Sequence, residues 1–183
     1  YPLKGFHYLL QAMQEILQNC PEAHIKVAGI SVLGVNGIKS RIKIPAYGKY
    51  LRRLILKNRL EGKVRVLGNL SAEEMKREYL SAQIFVCPSA VENSPNSVAE
   101  GQLLGVPVAA SRTRGIPDVV KDGVSGLLFE KGNVHELAAC VSRILTDKQL
   151  AKELSASERE TAAKLYNGEN NYQKLIEIYQ SIE

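Results

Sequence analysis

Two acidic residues, Glu92 and Glu100, bracket a short polar segment and are the first candidates for a functional site. Between them lie side chains that commonly cap the first turn of a helix: Asn93, Ser94, Asn96 and Ser97. Pro95 suits the first position of that helix because it lacks a backbone N–H. The free N–H groups and the dipole of a helix N-terminus attract anions. The segment therefore has the chemistry to hold an anionic ligand that also carries hydroxyl groups.

The spacing of the two carboxylates permits two interpretations. In the first, Glu92 lies in the loop and Glu100 lies inside the helix, and both accept hydrogen bonds from sugar and ribose hydroxyls. The backbone of Asn96 and Ser97 then holds a phosphate. In the second, Ser97 and Glu100 form an ordinary capping box and Glu92 is a surface residue. The residue chemistry alone favours neither interpretation.

Apolar periodicity places this segment in an alternating series of helices and strands. Helices are predicted over 3–19, 46–59 and 71–81, from the polar segment through Glu100 to Leu104, and from Asn133 to the end with a break at Asn167-Gly168. Five strands are predicted near 24–30, 63–68, 84–88, 106–110 and 126–129. Short strands separated by helices favour an α/β fold with a doubly wound, Rossmann-like parallel sheet. Ligands bind beyond the carboxyl ends of such strands, where this polar segment lies.

Other kinds of site find little support. Cys20, Cys87 and Cys140 are far apart, and no C-x-x-C pair suggests a zinc site or a disulfide framework. The three histidines have no partner at metal or triad spacing, and neither a P-loop nor a G-x-G-x-x-G fingerprint occurs. No apolar run approaches the roughly 20 residues of a membrane span. We expect a cytoplasmic protein without a metal or a cofactor.

The net charge of +5 is unevenly distributed. Residues 39–65 hold ten lysines and arginines against one acid, Glu61, so this basic segment is +9 and the remainder −4. Such a segment is either a solvated surface or a contact for an anionic partner, such as a membrane at whose inner face the protein would work.

A longer set of motifs resembles the C-terminal, donor-binding domain of the retaining GT-B glycosyltransferases of family 4. After Glu92 and Glu100 come Leu-Leu-Gly-Val-Pro-Val-Ala-Ala-Ser, Gly-Ile-Pro-Asp-Val-Val-Lys-Asp-Gly and Gly-Leu-Leu-Phe. Lys4-Gly5, with the Leu-Leu-x-Ala pattern that follows it, is similar to that family's first helix. The resemblance spans residues 1 to about 145 and implies a single nucleotide-sugar-binding domain over 1–183, with the helices of about 147–183 packed on it.

The resemblance also implies roles for individual residues. Lys4 would neutralise the donor diphosphate, Glu92 would bind the transferred sugar, and Glu100 would accept the ribose hydroxyls. The backbone after Glu92, at Asn93, Ser94, Asn96 and Ser97, would hold the sugar and phosphate, and Leu70 would border the base. Lys4 and Glu92 are thus the catalytic candidates. The donor would be a UDP- or GDP-sugar, the acceptor a glycan or lipid-linked molecule as in polysaccharide biosynthesis, and no nucleic acid is expected.

The chain departs from the family pattern at two positions. Pro95 stands where the family often has Gly, which removes one N–H donor. Arg114 replaces the first Gly of the family's Gly-Gly-Ile-Pro-Glu turn and puts a bulky cation near the acceptor side.

The start of the chain also differs from the family. The family's phosphate-binding Arg and its first strand would precede Tyr1, so we expect a fragment without the N-terminal acceptor domain, inactive alone. Either the sheet closes over the missing strand or another chain fills its place.

Two alternative functions stay open. The first is a nucleotide-sugar epimerase or phosphorylase of the same architecture. The second, from a different class, is a basic module that binds nucleic acid or an anionic membrane.

Overall fold

Parallel strands alternate with helices along the chain, which a computed structural model describes over residues 2–29 and 45–181. The strands are β1 (Ile25–Ala28), β2 (Val64–Gly68), β3 (Phe85–Cys87), β4 (Val108–Arg112) and β5 (Leu127–Glu130). The helices are α1 (Phe6–Asn19), α2 (Ala46–Lys57), α3 (Ala72–Ser81), α4 (Asn96–Leu103), α5 (Ile116–Val119), α6 (Val134–Thr146), α7 (Lys148–Leu165) and α8 (Gly168–Gln180). A 3-10 turn, Pro2–Lys4, precedes α1. The predicted α/β class and the five predicted strands are confirmed in the described part of the chain.

The five strands form two separate parallel sheets. In one, β1 pairs with β2, and Ile25 lies opposite Val64. In the other, β4 lies between β3 and β5, and Ala109 lies opposite both Val86 and Leu127. No strand pairing joins the two sheets among the described residues. The expectation that the sheet closes up is therefore wrong for this part of the chain, and filling by another chain stays a prediction.

Side chains of the three-stranded sheet alternate between two hydrophobic clusters. Ala109, Leu127 and Phe129 face a cluster that includes buried residues of α1, α2, α6 and α7. Val108 and Leu128 point to the opposite face, toward a smaller cluster with residues of α4 and α5. A strand buried on both faces is continuously apolar, as residues 85–87, 108–110 and 127–129 are. Helices therefore cover both faces, which confirms the doubly wound, Rossmann-like arrangement.

Local capping sets several of the helix ends. Ser71 and Glu74 form the predicted capping box of α3, with the Ser71 N–H donating to Glu74 Oε2 at 2.8 Å. Asn167 caps α8 at the predicted break. The helical pattern by itself did not indicate a second break, which lies at Asp147; the Asp147 Oδ1 accepts bonds from two backbone N–H groups of α7. The predicted first helix starts late, at Phe6, because Gly5 has a φ of 69°.

Part of the basic segment lies outside the described residues, namely the portion that holds Lys39, Arg41 and Lys43. Within α2, Lys49, Arg53 and Lys57 are exposed at helical spacing, while Leu51 and Leu54 are buried. This confirms the amphipathic helix that the sequence predicted. No helix in the described ranges has the length and hydrophobicity to cross a lipid bilayer.

Candidate functional site

Lys4 and Glu92 meet at the carboxyl end of β3, although 88 positions separate them. The Lys4 Nζ donates to the Glu92 Oε2 at 2.6 Å. The lysine side chain is 62% exposed and the glutamate side chain 12%, so the carboxylate is set into the surface and the ammonium covers it. The two predicted catalytic candidates are thus neighbours.

Gly5 explains how the chain start reaches this position. A Cβ at Gly5 would lie 1.7 Å from the Pro88 carbonyl oxygen, and the backbone has a positive φ. The adjoining Leu3 carbonyl accepts a bond from the Ala90 N–H at 2.7 Å. Only glycine allows this close approach of two backbone segments. The Lys-Gly pair therefore works as a unit, in which the glycine brings the lysine to Glu92.

The loop that carries Glu92 is held by residues at the end of β4 and just after it. The Ser111 Oγ donates to the Ser89 carbonyl, and the Thr113 Oγ1 donates to the Ala90 carbonyl. Gly115 donates its N–H to the Glu92 carbonyl at 3.1 Å. These contacts fix the loop at the carboxyl edge of the sheet, and the sequence interpretation had not assigned such a role to Ser111, Thr113 or Gly115. In the sequence, the hydroxyl groups of Ser111 and Thr113 and the glycine of Gly-Ile-Pro were the features that could have indicated these contacts.

Ser89 places the carboxylate itself. Its hydroxyl is buried and donates to the Glu92 Oε2 at 3.3 Å. Both recorded partners of the Glu92 carboxylate therefore bind Oε2. Among the described residues no donor is recorded for Oε1, so this oxygen is free to accept a bond from a ligand hydroxyl.

Helix α4 begins without a side-chain cap. Pro95 is its N-cap, and Asn96 rather than Pro95 is the first helical residue, so the predicted proline position is wrong by one. The Ser97–Glu100 capping box is not formed. The Asn96 N–H donates to the Ser94 carbonyl at 3.0 Å, whereas no acceptor is recorded for the Ser97 N–H within the described ranges. The helix start thus offers an open N–H and the positive end of a dipole.

Tyr79 of α3 supports this helix from behind. Its hydroxyl donates to the Ser97 carbonyl at 2.8 Å, and its ring packs edge-on against Phe85. Burial, with a further contribution from the nearby Glu100 carboxylate, raises the pKa of Tyr79 far above its ordinary value. The phenol therefore stays neutral and keeps donating. Glu100 is exposed on α4, one turn beyond Ser97.

The remaining predicted site residues lie around this centre. Asn93 and Ser94 are exposed in the loop, and the Arg114 guanidinium approaches the Asn93 Oδ1 at 3.5 Å. Arg114 has a φ of 40°, an uncommon conformation for a residue with a side chain. Leu70 follows β2, in the other sheet, and belongs to neither hydrophobic cluster. Within the described residues, no hydrogen bond is recorded between Leu70 and either Lys4 or Glu92.

Cys87, His7 and His135 lie in surroundings that give them a structural rather than a catalytic role. Burial raises the pKa of the Cys87 thiol, which makes it a poor nucleophile. The His7 Nδ1 lies 3.1 Å from the Tyr47 hydroxyl, and His135 pairs with Glu15 on the surface. Within residues 2–29 and 45–181, no group of three His, Cys, Asp or Glu residues is arranged to hold a metal ion.

Comparison with known proteins agrees with the motifs. The family described as glycosyl transferases group 1 matches residues 1–161. The chain belongs to this family. A D-inositol 3-phosphate glycosyltransferase from Corynebacterium urealyticum is 31% identical over 180 residues, which are 98% of this chain and 41% of that protein.

Solved structures of GT-B glycosyltransferases share the fold. Anabaena Alr3699/HepE, crystallised in complex with UDP, has a TM-score of 0.83 at 24% identity over 99% of this chain and 46% of its own. A sucrose-phosphate synthase from Thermosynechococcus elongatus has a TM-score of 0.81 at 25% identity over 100% of this chain and 43% of its own. The group 1 chain described here thus spans less than half the length of these relatives.

The matched region of this group 1 chain contains every predicted site residue, from Lys4 to Glu100. It ends within α7, so α8 lies beyond it, and α8 buries none of its residues. The roles of the individual site residues stay predictions.

Proposed function

We propose that this chain is the donor-binding half of a glycosyltransferase that moves a sugar from a nucleoside diphosphate to an acceptor with retention of configuration. The observation that carries the proposal is the Lys4–Glu92 pair, 2.6 Å apart, at the carboxyl edge of β3 and beside the uncapped start of α4. Membership of the glycosyl transferases group 1 family supports it. The structural relative crystallised with UDP has the same fold.

The charges of the site suit a leaving diphosphate. Without a ligand, the Lys4 ammonium neutralises Glu92. A diphosphate brings additional negative charge, and the exposed Lys4 side chain can turn toward it while the open N–H at Ser97 donates to a phosphate oxygen. A lysine is a suitable point charge for this purpose. Positive groups aimed at the departing diphosphate stabilise the transition state of the transfer.

The carboxylates of Glu92 and Glu100 would bind the hydroxyl groups of the donor. The free Oε1 of Glu92 would accept a bond from the transferred sugar, and the exposed carboxylate of Glu100 would accept the ribose hydroxyls. Leu70 would border the base with its half-buried side chain. Asn93 and Ser94 would supply backbone contacts to the sugar. In this proposal no metal is required, because Lys4 and the helix start provide the positive charge.

Titration of the full-length protein with UDP-, GDP- and ADP-sugars tests the proposal. Replacement of Glu100 by Gln should weaken nucleotide-sugar binding by about tenfold or more, since a hydrogen bond to a charged group contributes roughly 1.5–3 kcal/mol. Glu73→Gln, on the exposed first turn of α3, is the matched control and should leave affinity unchanged. Equal affinities of all three proteins would contradict the role of Glu100.

Lys4→Met should reduce turnover more strongly than it reduces donor affinity, because the charge that develops on the leaving diphosphate is greatest in the transition state. Lys76→Met, an exposed lysine on α3, serves as the control. Product analysis separates transfer from epimerisation and phosphorolysis. Turnover by residues 1–183 alone would contradict the expectation that the acceptor groups lie elsewhere.

The exposed row of Lys49, Arg53 and Lys57 on α2 supports a further proposal, that the enzyme works on a glycan or lipid-linked acceptor at an anionic membrane. Binding to anionic vesicles that falls with salt and with Arg53→Glu would agree with it. Equal binding to neutral vesicles would contradict it.

A further inference from the structure

A second cleft lies at the opposite edge of the sheet from the candidate donor site. It is open to solvent and has a volume of about 540 Å³. It is lined by Gln83 and Pro107, which lie just before β3 and β4, so it is at the amino ends of the strands. The five residues of β4 span about 16 Å at the usual rise of a strand. The cleft is therefore a separate place from the loop that carries Glu92.

One wall of the cleft is a row of cations on α7. Lys148, Lys152 and Arg159 all line it. At 100° per residue, positions 148, 152 and 159 fall within about 40° of one another around the helix. The three positive groups thus share one helix face over about 16 Å of its axis, and the like charges of Lys148 and Lys152, one turn apart, repel each other.

These cations have no carboxylate to compensate them in the part of the chain that the structure describes. No ion pair is recorded there for Lys148, Lys152 or Arg159. The Arg159 Nη2 donates to the Leu104 carbonyl, at 3.2 Å. The acidic residues of the same region are engaged elsewhere: Asp147 caps α7, Glu153 accepts from Gln149, Glu160 pairs with Lys164, and Glu158 is buried.

The remaining lining is mostly apolar. Pro107, Ile144 and Ala156 contribute to it, beside the aliphatic stems of the lysines. These apolar residues form the floor of the cleft. A simple inorganic anion would contact the cations but would leave the apolar floor exposed to water. A neutral apolar molecule would cover the floor but leave three positive charges uncompensated. The lining therefore matches a ligand with one strongly anionic end and one apolar end.

We propose that this cleft binds a phosphate monoester that carries an apolar chain, with the phosphate between Lys148 and Lys152, the positive charge of Arg159 about two turns further along α7, and the chain along Pro107, Ile144 and Ala156. A phosphate monoester carries a charge of about −1.5 to −2 at pH 7, which suits the two lysines better than the single charge of a carboxylate. The site is independent of the proposed sugar transfer.

Isothermal titration of the chain with decyl phosphate, below its critical micelle concentration, tests this inference. We expect saturable binding that is at least tenfold tighter than that of inorganic phosphate or decyl maltoside. Equal affinity for inorganic phosphate would overturn the role of the apolar floor, and equal affinity for decyl maltoside would overturn the role of the cations. Binding to phosphatidic acid vesicles without binding to monomeric decyl phosphate would assign the cations to a membrane surface and also overturn the proposal.

Variants locate the site. Lys152→Gln removes one charge and should weaken decyl phosphate binding about tenfold, the change that a loss of 1.4 kcal/mol produces. Lys164→Gln, on the same helix but paired with Glu160, is the matched control and should bind like the parent. Ala156→Phe fills the exposed floor position and should abolish binding without unfolding, as circular dichroism would verify. Loss of binding in Lys4→Met would place the ligand in the donor site instead and refute the inference.

Discussion

A buried glutamate on α7 makes the stability of this domain depend on pH in an unusual direction. Glu158 is fully buried, and its Oε1 accepts a bond from the Val108 N–H at 2.8 Å at the start of β4. Its Oε2 has no recorded partner in the described structure. Burial raises the pKa of Glu158 from 4.5 to about 8, against a smaller opposite effect of the Val108 hydrogen bond. The carboxyl is therefore protonated in the folded protein at neutral pH.

The sign of the effect follows from proton binding. Above pH 4.5 the unfolded chain ionises Glu158 while the folded protein keeps the proton, so unfolding releases a proton and stability falls as pH rises toward 8. At 1.36 kcal/mol per pH unit, the loss between pH 6 and pH 9 is about 2.5 kcal/mol. That is a large part of the roughly 5–15 kcal/mol that stabilises a typical domain. Glu158→Gln keeps the acceptor for Val108 and removes the ionisation.

Urea unfolding at pH 6, 7, 8 and 9 measures this difference. Far-UV circular dichroism is the suitable signal, since the chain contains no tryptophan. The free energies of unfolding of Glu158→Gln and the parent should be most similar at pH 6. From pH 6 to pH 9 the difference in favour of the variant should grow by about 2.5 kcal/mol.

Glu160→Gln is the matched control for this experiment. Glu160 lies on the same helix, and its hydrogen bond with Lys164 lowers the pKa of Glu160, so the stability that it contributes is lost only in acid. The difference in free energy of unfolding between Glu160→Gln and the parent should therefore stay constant from pH 6 to pH 9. A constant difference between Glu158→Gln and the parent would refute the buried-acid explanation.

Three further substitutions test local features. Gly5→Ala should destabilise the protein by more than the roughly 1–2 kcal/mol of a left-handed backbone, because its Cβ would collide with the Pro88 carbonyl; thermal unfolding measures this. Arg114→Gly should raise the melting temperature slightly by relieving a φ of 40°, whereas Arg114→Ala, which keeps the strain, should not. Ser71→Ala removes the cap of α3 and should cost about 1 kcal/mol in urea unfolding, and Ser71→Asp, which can still cap, should not. Unchanged stability in the alanine variants at Gly5 and Ser71 would contradict these explanations.

Much of the fold was predictable because its causes are local. The Ser71 capping box and the Asn167 break follow from side chains within three residues of the backbone groups that they bind. Strand and helix positions follow from apolar periodicity. The errors were also local. Pro95 became the cap of α4 rather than its first residue, and Asp147 starts a new helix within an apparently continuous pattern.

The candidate site was predictable as a set of residues but not as an arrangement. Motif resemblance indicated Lys4, Glu92 and Glu100 together. It could not show that Lys4 contacts Glu92, since their distance depends on how the turn before α1 packs against the end of β3. Nor did it indicate Ser111 and Thr113, whose hydroxyls support the loop from the neighbouring strand.

The sequence by itself determined the alternation of helices and strands, the family and the polar segment between Glu92 and Glu100, because these depend on short-range periodicity and on motifs. Only the tertiary structure decided that the strands of residues 2–29 and 45–181 form two sheets, that Glu158 is buried with no partner recorded in these ranges for one oxygen, and that three cations line an apolar cleft. These features depend on contacts between residues far apart in the chain. Burial and charge compensation exist only once those residues are packed together.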